Sequence, residues 1–201
     1  YATFAFPLFL TTAIAVISFN VDTTMLGFFQ GANDVGLFNF LKKGPVVLVG
    51  LGLAVGTLLL PTFSGMASRN AGHEEMHRTL DRALRYTSIL LVPICAFTAV
   101  FAEPIIRIGL SNDQLGIGPR ADAGVLVLRI LAVWVLFATF SALQNLLLLA
   151  TGRPGVAAKI AITASVTLIG LDLLLIPNDF RILGLRLAGL GVIGAAIATL
   201  V

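Results

Sequence analysis

The chain is built from long apolar runs separated by short polar turns, and this decides almost everything it can fold into. Six stretches are long enough to be read as spans: Phe4–Phe29, Leu37–Ala67, Tyr86–Leu110, Gly124–Ala150, Gly155–Ile176 and Leu187–Val201. A membrane-crossing helix needs about 20 mostly apolar residues. Backbone groups in hydrocarbon must be satisfied within their own segment, which makes helices the default. The runs do not alternate with period two, as barrel strands would. An all-α polytopic bundle of about six transmembrane helices is the expected fold, and the short connections make neighbours antiparallel.

Composition agrees. Of 201 residues 58% are hydrophobic and 11% charged, and the mean hydropathy is +1.00, whereas a soluble domain carries about 25% charge. The net charge of +3 is spread over loops and helix ends, which argues against a nucleic-acid partner. Cys95 is the single cysteine, so no disulfide or thiolate cluster can form within the chain. The first apolar segment has no basic leader, and no cleavable signal is expected. Starting at Tyr1 and stopping inside an apolar run, residues 1–201 read as one bundle from a longer protein.

The costly residues lie inside the spans. Asp22, Lys42, Lys43, Glu103, Arg107, Arg129 and Asp172 all fall toward the same end of the bundle. Charges at membrane depth face a bundle interior or a water-filled cavity, unless they are close enough to the interface to snorkel. Glu103, Arg107 and Asp172 are within about two turns of a helix end and are assigned to snorkelling or local pairing. Asp22, Lys42 and Arg129 are deeper and are assigned to a polar vestibule. Lys42 and Lys43 are adjacent, about 100° apart on a helix, so both cannot face one lumen equally. Asn39 shares a face with Lys43.

Residues 72–86 differ in character. Met76, Leu80, Ala83 and Leu84 fall on one helical face, and Glu74/Arg78 and Asp81/Arg85 are spaced as i,i+4 ion pairs. They predict an amphipathic helix lying on the cytoplasmic surface of the membrane. This segment also contains HEEMH at His73–His77, the spacing of a zinc-protease helix. A third ligand is needed, the chain has no other histidine, and Asp81 is the sole convenient acid. We assign no metal and no cofactor. No Ser/His/Asp or Cys/His set can be assembled, and no glycine-rich nucleotide loop is present. Asp22 and Asp172 are conceivable paired acids, but nothing in their spacing joins them. Gln144 and Asn145 read as interhelical hydrogen-bonding amides. Gly52/Gly56 and Gly191/Ala195 mark close helix packing, and Pro7, Pro45, Pro61, Pro93 and Pro104 mark bends.

Short motifs add a resemblance. Asp22, Met25, Leu26 and Gly27 at the end of one span, then Gly31, Val35 and Gly36 entering the next, form D-x-x-M-L-G followed by G-x-x-x-V-G. With ATGRP at Ala150–Pro154, LIP at Leu175–Pro177 and GLGVIGAAIAT at Gly189–Thr199, the chain resembles the polysaccharide-exporter branch (lipid-linked oligosaccharide flippases) of the multidrug/oligosaccharidyl-lipid/polysaccharide exporter superfamily. Asp172, in LDLLLIP, departs from it, since an amide is more usual there.

The resemblance implies one lobe, the C-terminal one, of a two-lobe alternating-access transporter. Its substrate would be a polyprenyl-pyrophosphate-linked glycan crossing the cytoplasmic membrane. Lys42, Lys43, Arg129 and Asn39 are then candidate substrate contacts, with the cations matching a diphosphate. Asp22 is the candidate for charge balance or for proton or sodium coupling. Loop arginines at 69, 78, 82, 85 and 153, against 120, 181 and 186, lean toward a cytoplasmic first side. Adding Lys159 to one side and Lys42, Lys43, Arg107 and Arg129 to the other removes that lean, while the resemblance implies the same orientation. Three other readings remain open. A multidrug exporter would want an acidic, aromatic pocket, and this chain has one Trp and two Tyr. A membrane-embedded glycan polymerase or acyltransferase would need a catalytic set, and a non-transporting scaffold would tolerate neutral deep positions.

Overall fold

A computed structural model describes residues 2–69, 72–109, 119–152, 154–177, 179–180, 185–186 and 189–200. In chain order these form α1 (Ala2–Phe29), α2 (Ala32–Ser68), α3 (His73–Val100), α4 (Ala102–Gly109), α5 (Pro119–Ala150) and α6 (Pro154–Leu175). A two-residue antiparallel pair follows, β1 (Asp179–Phe180) with β2 (Leu185–Arg186), and then α7 (Val192–Ala198). Five of the helices, α1, α2, α3, α5 and α6, are long and apolar enough to cross a membrane. At 1.5 Å per residue the 37 residues of α2 reach about 55 Å, so it must tilt or project beyond the hydrocarbon.

Four expectations change. The third span does not run to residue 110, because helix α3 stops at Val100 and α4 begins two residues later. Pro104 has no N–H to give to the Val100 carbonyl and its ring crowds that position, so the helix is interrupted there. The amphipathic segment is not a separate surface helix: residues 73–86 run without a break into the apolar part of α3. Its apolar side faces protein, with Met76 and Leu80 packed on Phe63, Met66 and Leu143, which accounts for the pattern. Arg78 pairs with Glu74 at 2.6 Å, but the expected Asp81–Arg85 pair does not form. Both residues are exposed, where a pair contributes little. The sixth apolar segment contributes seven helical residues, α7. Of the loop expected at Ser111–Ala123, residues 111–118 lie outside the described residues, and from Pro119 onward the chain is already helical in α5.

α2 lies along α5, α3 flanks α5, and α1 lies along α6, while α7 wedges among α1, α5 and α6. Gly52 and Gly56 make the α2–α5 contact possible: a methyl on Gly52 would strike Thr139, and one on Gly56 would strike Leu143 and Leu146. The core forms three clusters: one joins Leu26, Phe38, Leu41, Ile106, Leu131 and Ile176, a second holds Phe63 and Met76, and a third holds Cys95, Ala132 and Val135. Round the outside, large apolar side chains such as Phe28, Leu58 and Val166 are exposed, as lipid-facing residues are.

Candidate functional site

The α1–α2 hairpin sets the site. Only Gln30 and Gly31 separate the two helices, and Gly31 takes φ +108°, a conformation that glycine alone adopts without strain. Counting back from that turn, Asp22 lies about 10 Å down α1 and Lys42 about 15 Å down α2 at 1.5 Å per residue. The length of a lysine side chain covers the difference. Lys42 Nζ donates to Asp22 Oδ2 at 2.9 Å and to the Phe19 carbonyl at 3.0 Å. It also lies 4.5 Å from the Phe19 ring centre and 5.4 Å from that of Phe38. Both charged residues are buried, Asp22 to 1% exposure and Lys42 to 5%.

Two further elements close over this pair. Thr199, at the end of α7, places its hydroxyl 3.3 Å from Asp22 Oδ2 and 2.6 Å from the Ala195 carbonyl, between which its one proton is divided. Asp172, from the last turn of α6, is fully buried. Among the described residues neither of its carboxylate oxygens has a hydrogen-bond partner, and Asp22 and Lys42 are the charged groups that act on it. It was expected to snorkel at the interface, and the packing of α6 on α1 and α7 turns it inward instead. Asp22 and Asp172 are therefore both buried and feel each other's charge, which their spacing did not suggest. The signal available in the sequence was the acid itself, standing in LDLLLIP where an amide is more usual. α6 is tied to α1 lower down by Ser18 and Ser165, whose hydroxyls are 2.6 Å apart.

The other predicted residues are distributed elsewhere. Lys43 is exposed and lines a cavity of about 430 Å³ between α2, α3, α4 and α5, with Phe40, Leu48, Ile94, Ile105 and Leu128. Adjacent lysines thus serve different sides of α2, one the ion pair and one the cavity. Asn39 is exposed and accepts from the Thr23 hydroxyl at 3.4 Å. Arg129 is exposed, with Nε donating to the Ala99 carbonyl of α3 at 3.2 Å. Glu103 and Arg107 pair with each other at 2.6 Å on the surface of α4. Among the described residues no group of three His, Cys, Asp or Glu side chains is placed to hold a metal ion.

The arrangement is a buried, charge-dense junction of four helices beside an apolar cavity with one cation. No curated protein and no solved structure matches the chain. Residues 1–117 match the polysaccharide biosynthesis protein family, a stretch that carries Asp22, Lys42, Lys43 and the whole α1–α4 framework. With five helices able to span, the chain is a multi-pass membrane protein, and it belongs to the polysaccharide biosynthesis protein family.

Proposed function

We propose that the chain is one lobe of an alternating-access transporter that moves polyprenyl-pyrophosphate-linked glycan precursors across the cytoplasmic membrane. The observation that carries this reading is Lys43, an exposed cation on the wall of an otherwise apolar cavity. An amphiphile with an apolar chain and an anionic diphosphate matches both properties of that wall, the ammonium acting as a point charge. Arg129 and Asn39 are further polar contacts for the head group. Lys42 and Asp22 act inside the bundle as a charge pair that fixes the α1–α2 hairpin. A coupling cation, proton or sodium, fits the acidic side of that pair. The family, concerned with polysaccharide biosynthesis, supports a glycan substrate over a cationic drug and leaves non-enzymatic action to be tested.

The test measures translocation of a fluorescent polyprenyl-diphosphate glycan by the full-length protein in vesicles. Lys43→Ala should slow it about tenfold or more, the loss of a charge-assisted contact, with drug resistance unaltered. Lost drug resistance with normal glycan movement would favour a multidrug exporter. Covalent change of the glycan lipid by the purified protein would favour a membrane-embedded enzyme.

A further inference from the structure

We propose that α3 carries a binding site for an anionic phospholipid, with the phosphate held by Arg82 and Arg85 and an acyl chain laid along Ile89 and the apolar residues beyond it. At 100° per residue, Arg78, Arg82 and Arg85 fall within about 60° of one another on this helix, and Ile89, Ala96 and Val100 continue the same stripe. Met76, Leu80, Ala83, Thr87 and Leu91 are buried and occupy the opposite side. The stripe therefore points directly away from the protein that α3 packs on. All of its residues are exposed, Ile89 to 64% and the neighbouring Tyr86 to 69%.

Depth separates two of the arginines from the third. The exposed Glu103–Arg107 pair on α4 marks the far boundary of the hydrocarbon. From Glu103 back to Arg85 the chain rises at most about 27 Å at 1.5 Å per residue. The hydrocarbon is about 30 Å thick, so Arg85 stands at its near edge and Arg82, one turn out, in the headgroup layer. Arginine stems lie along apolar surface while their heads reach phosphate level, and tyrosine, here Tyr86, is enriched at that level. Arg78 is about 10 Å beyond Arg85, past the headgroups.

Charge makes the same distinction. Glu74 takes Arg78 at 2.6 Å, and Glu75 lies 3.9 Å from Arg69. Among the described residues neither Arg82 nor Arg85 has an ion-pair partner, and Asp81 is exposed on the aqueous side of both. A guanidinium grips phosphate as a fork of two N–H donors, and two of them one turn apart can share one phosphodiester. An acidic soluble partner would leave the apolar half of the stripe unmatched, whereas a phospholipid covers both halves. The site faces the leaflet beside the α2–α3 turn and does not depend on the glycan reading.

Native mass spectrometry of the delipidated full-length protein tests it, with phosphatidylglycerol and phosphatidylcholine of identical chains titrated separately. Wild type should hold phosphatidylglycerol the more tightly. Arg82→Gln and Arg85→Gln should each weaken that binding about fivefold, as expected for an arginine near an anionic surface, while Arg78→Gln should leave it unchanged. Equal wild-type binding of the two lipids overturns the proposal, whether or not any variant folds. So does a loss in Arg78→Gln as large as in the other two, which would reduce the effect to general attraction between charges. Retention of an acidic peptide through Arg82 and Arg85, without preference between the lipids, would replace the phospholipid by a protein partner. Retention of polyprenyl diphosphate there, with phosphatidylglycerol excluded, would overturn the proposal in favour of a substrate contact.

Discussion

Replacing Lys42 by methionine removes an ammonium while keeping most of the stem. Asp22 Oδ2 loses its 2.9 Å donor, and the Phe19 carbonyl loses its 3.0 Å side-chain contact. More importantly, two buried acids are left without a cation. Removing one partner of a buried ion pair costs about 3 to 5 kcal/mol, and in a chain of this size that lowers the melting temperature by roughly 10 °C. Cys95 gives a direct assay, since it is buried at 4% exposure against Ala132 and Val135. Alkylation of that cysteine during a thermal ramp, quantified by mass spectrometry, reports when α3 leaves α5. Unchanged alkylation of Lys42→Met would refute the reasoning and place Lys42 in water rather than against Asp22.

Gly52→Ala should loosen the α2–α5 seam, since the new methyl strikes the branched side chain of Thr139. A cost of about 1 to 3 kcal/mol is expected, and adding Thr139→Ala should return most of it in the same alkylation assay. Gly194→Ala should be harder to relieve, because its methyl would lie 2.7 Å from the Leu175 carbonyl oxygen. Backbone cannot swing aside as a side chain does. Limited proteolysis should show α7 displaced, and wild-type protection in this variant would contradict the close α6–α7 approach.

Where the helices are could be read from the sequence, because apolar runs of membrane-crossing length leave the backbone few choices. The hairpin carrying Asp22 and Lys42 was legible for the same reason, although its turn was not: the second span was read from Leu37, whereas α2 begins at Ala32. Which way each charge points was not legible. Lys42 and Lys43 differ by a rotation whose outcome depends on which helices flank α2, and periodicity names no neighbours. Asp172 was misplaced because depth along one helix was taken as a guide to exposure, whereas its burial is decided by α1 and α7. The continuity of α3 was missed for a subtler reason. A helix can be amphipathic where it packs on protein and apolar where it meets lipid, and the change of pattern resembles a boundary without being one.

Consecutive lysines about 100° apart on α2 divide between two tasks, one in the ion pair and one on the cavity wall. A ligand that drew Lys43 into the cavity would pull on the peptide unit that also bears Lys42. Pro45, which carries no N–H for the Leu41 carbonyl, lies just beyond the two lysines and loosens the turn that bears them. Occupancy of the cavity and integrity of the ion pair would then be linked through adjacent residues, with no need for a relay across the bundle.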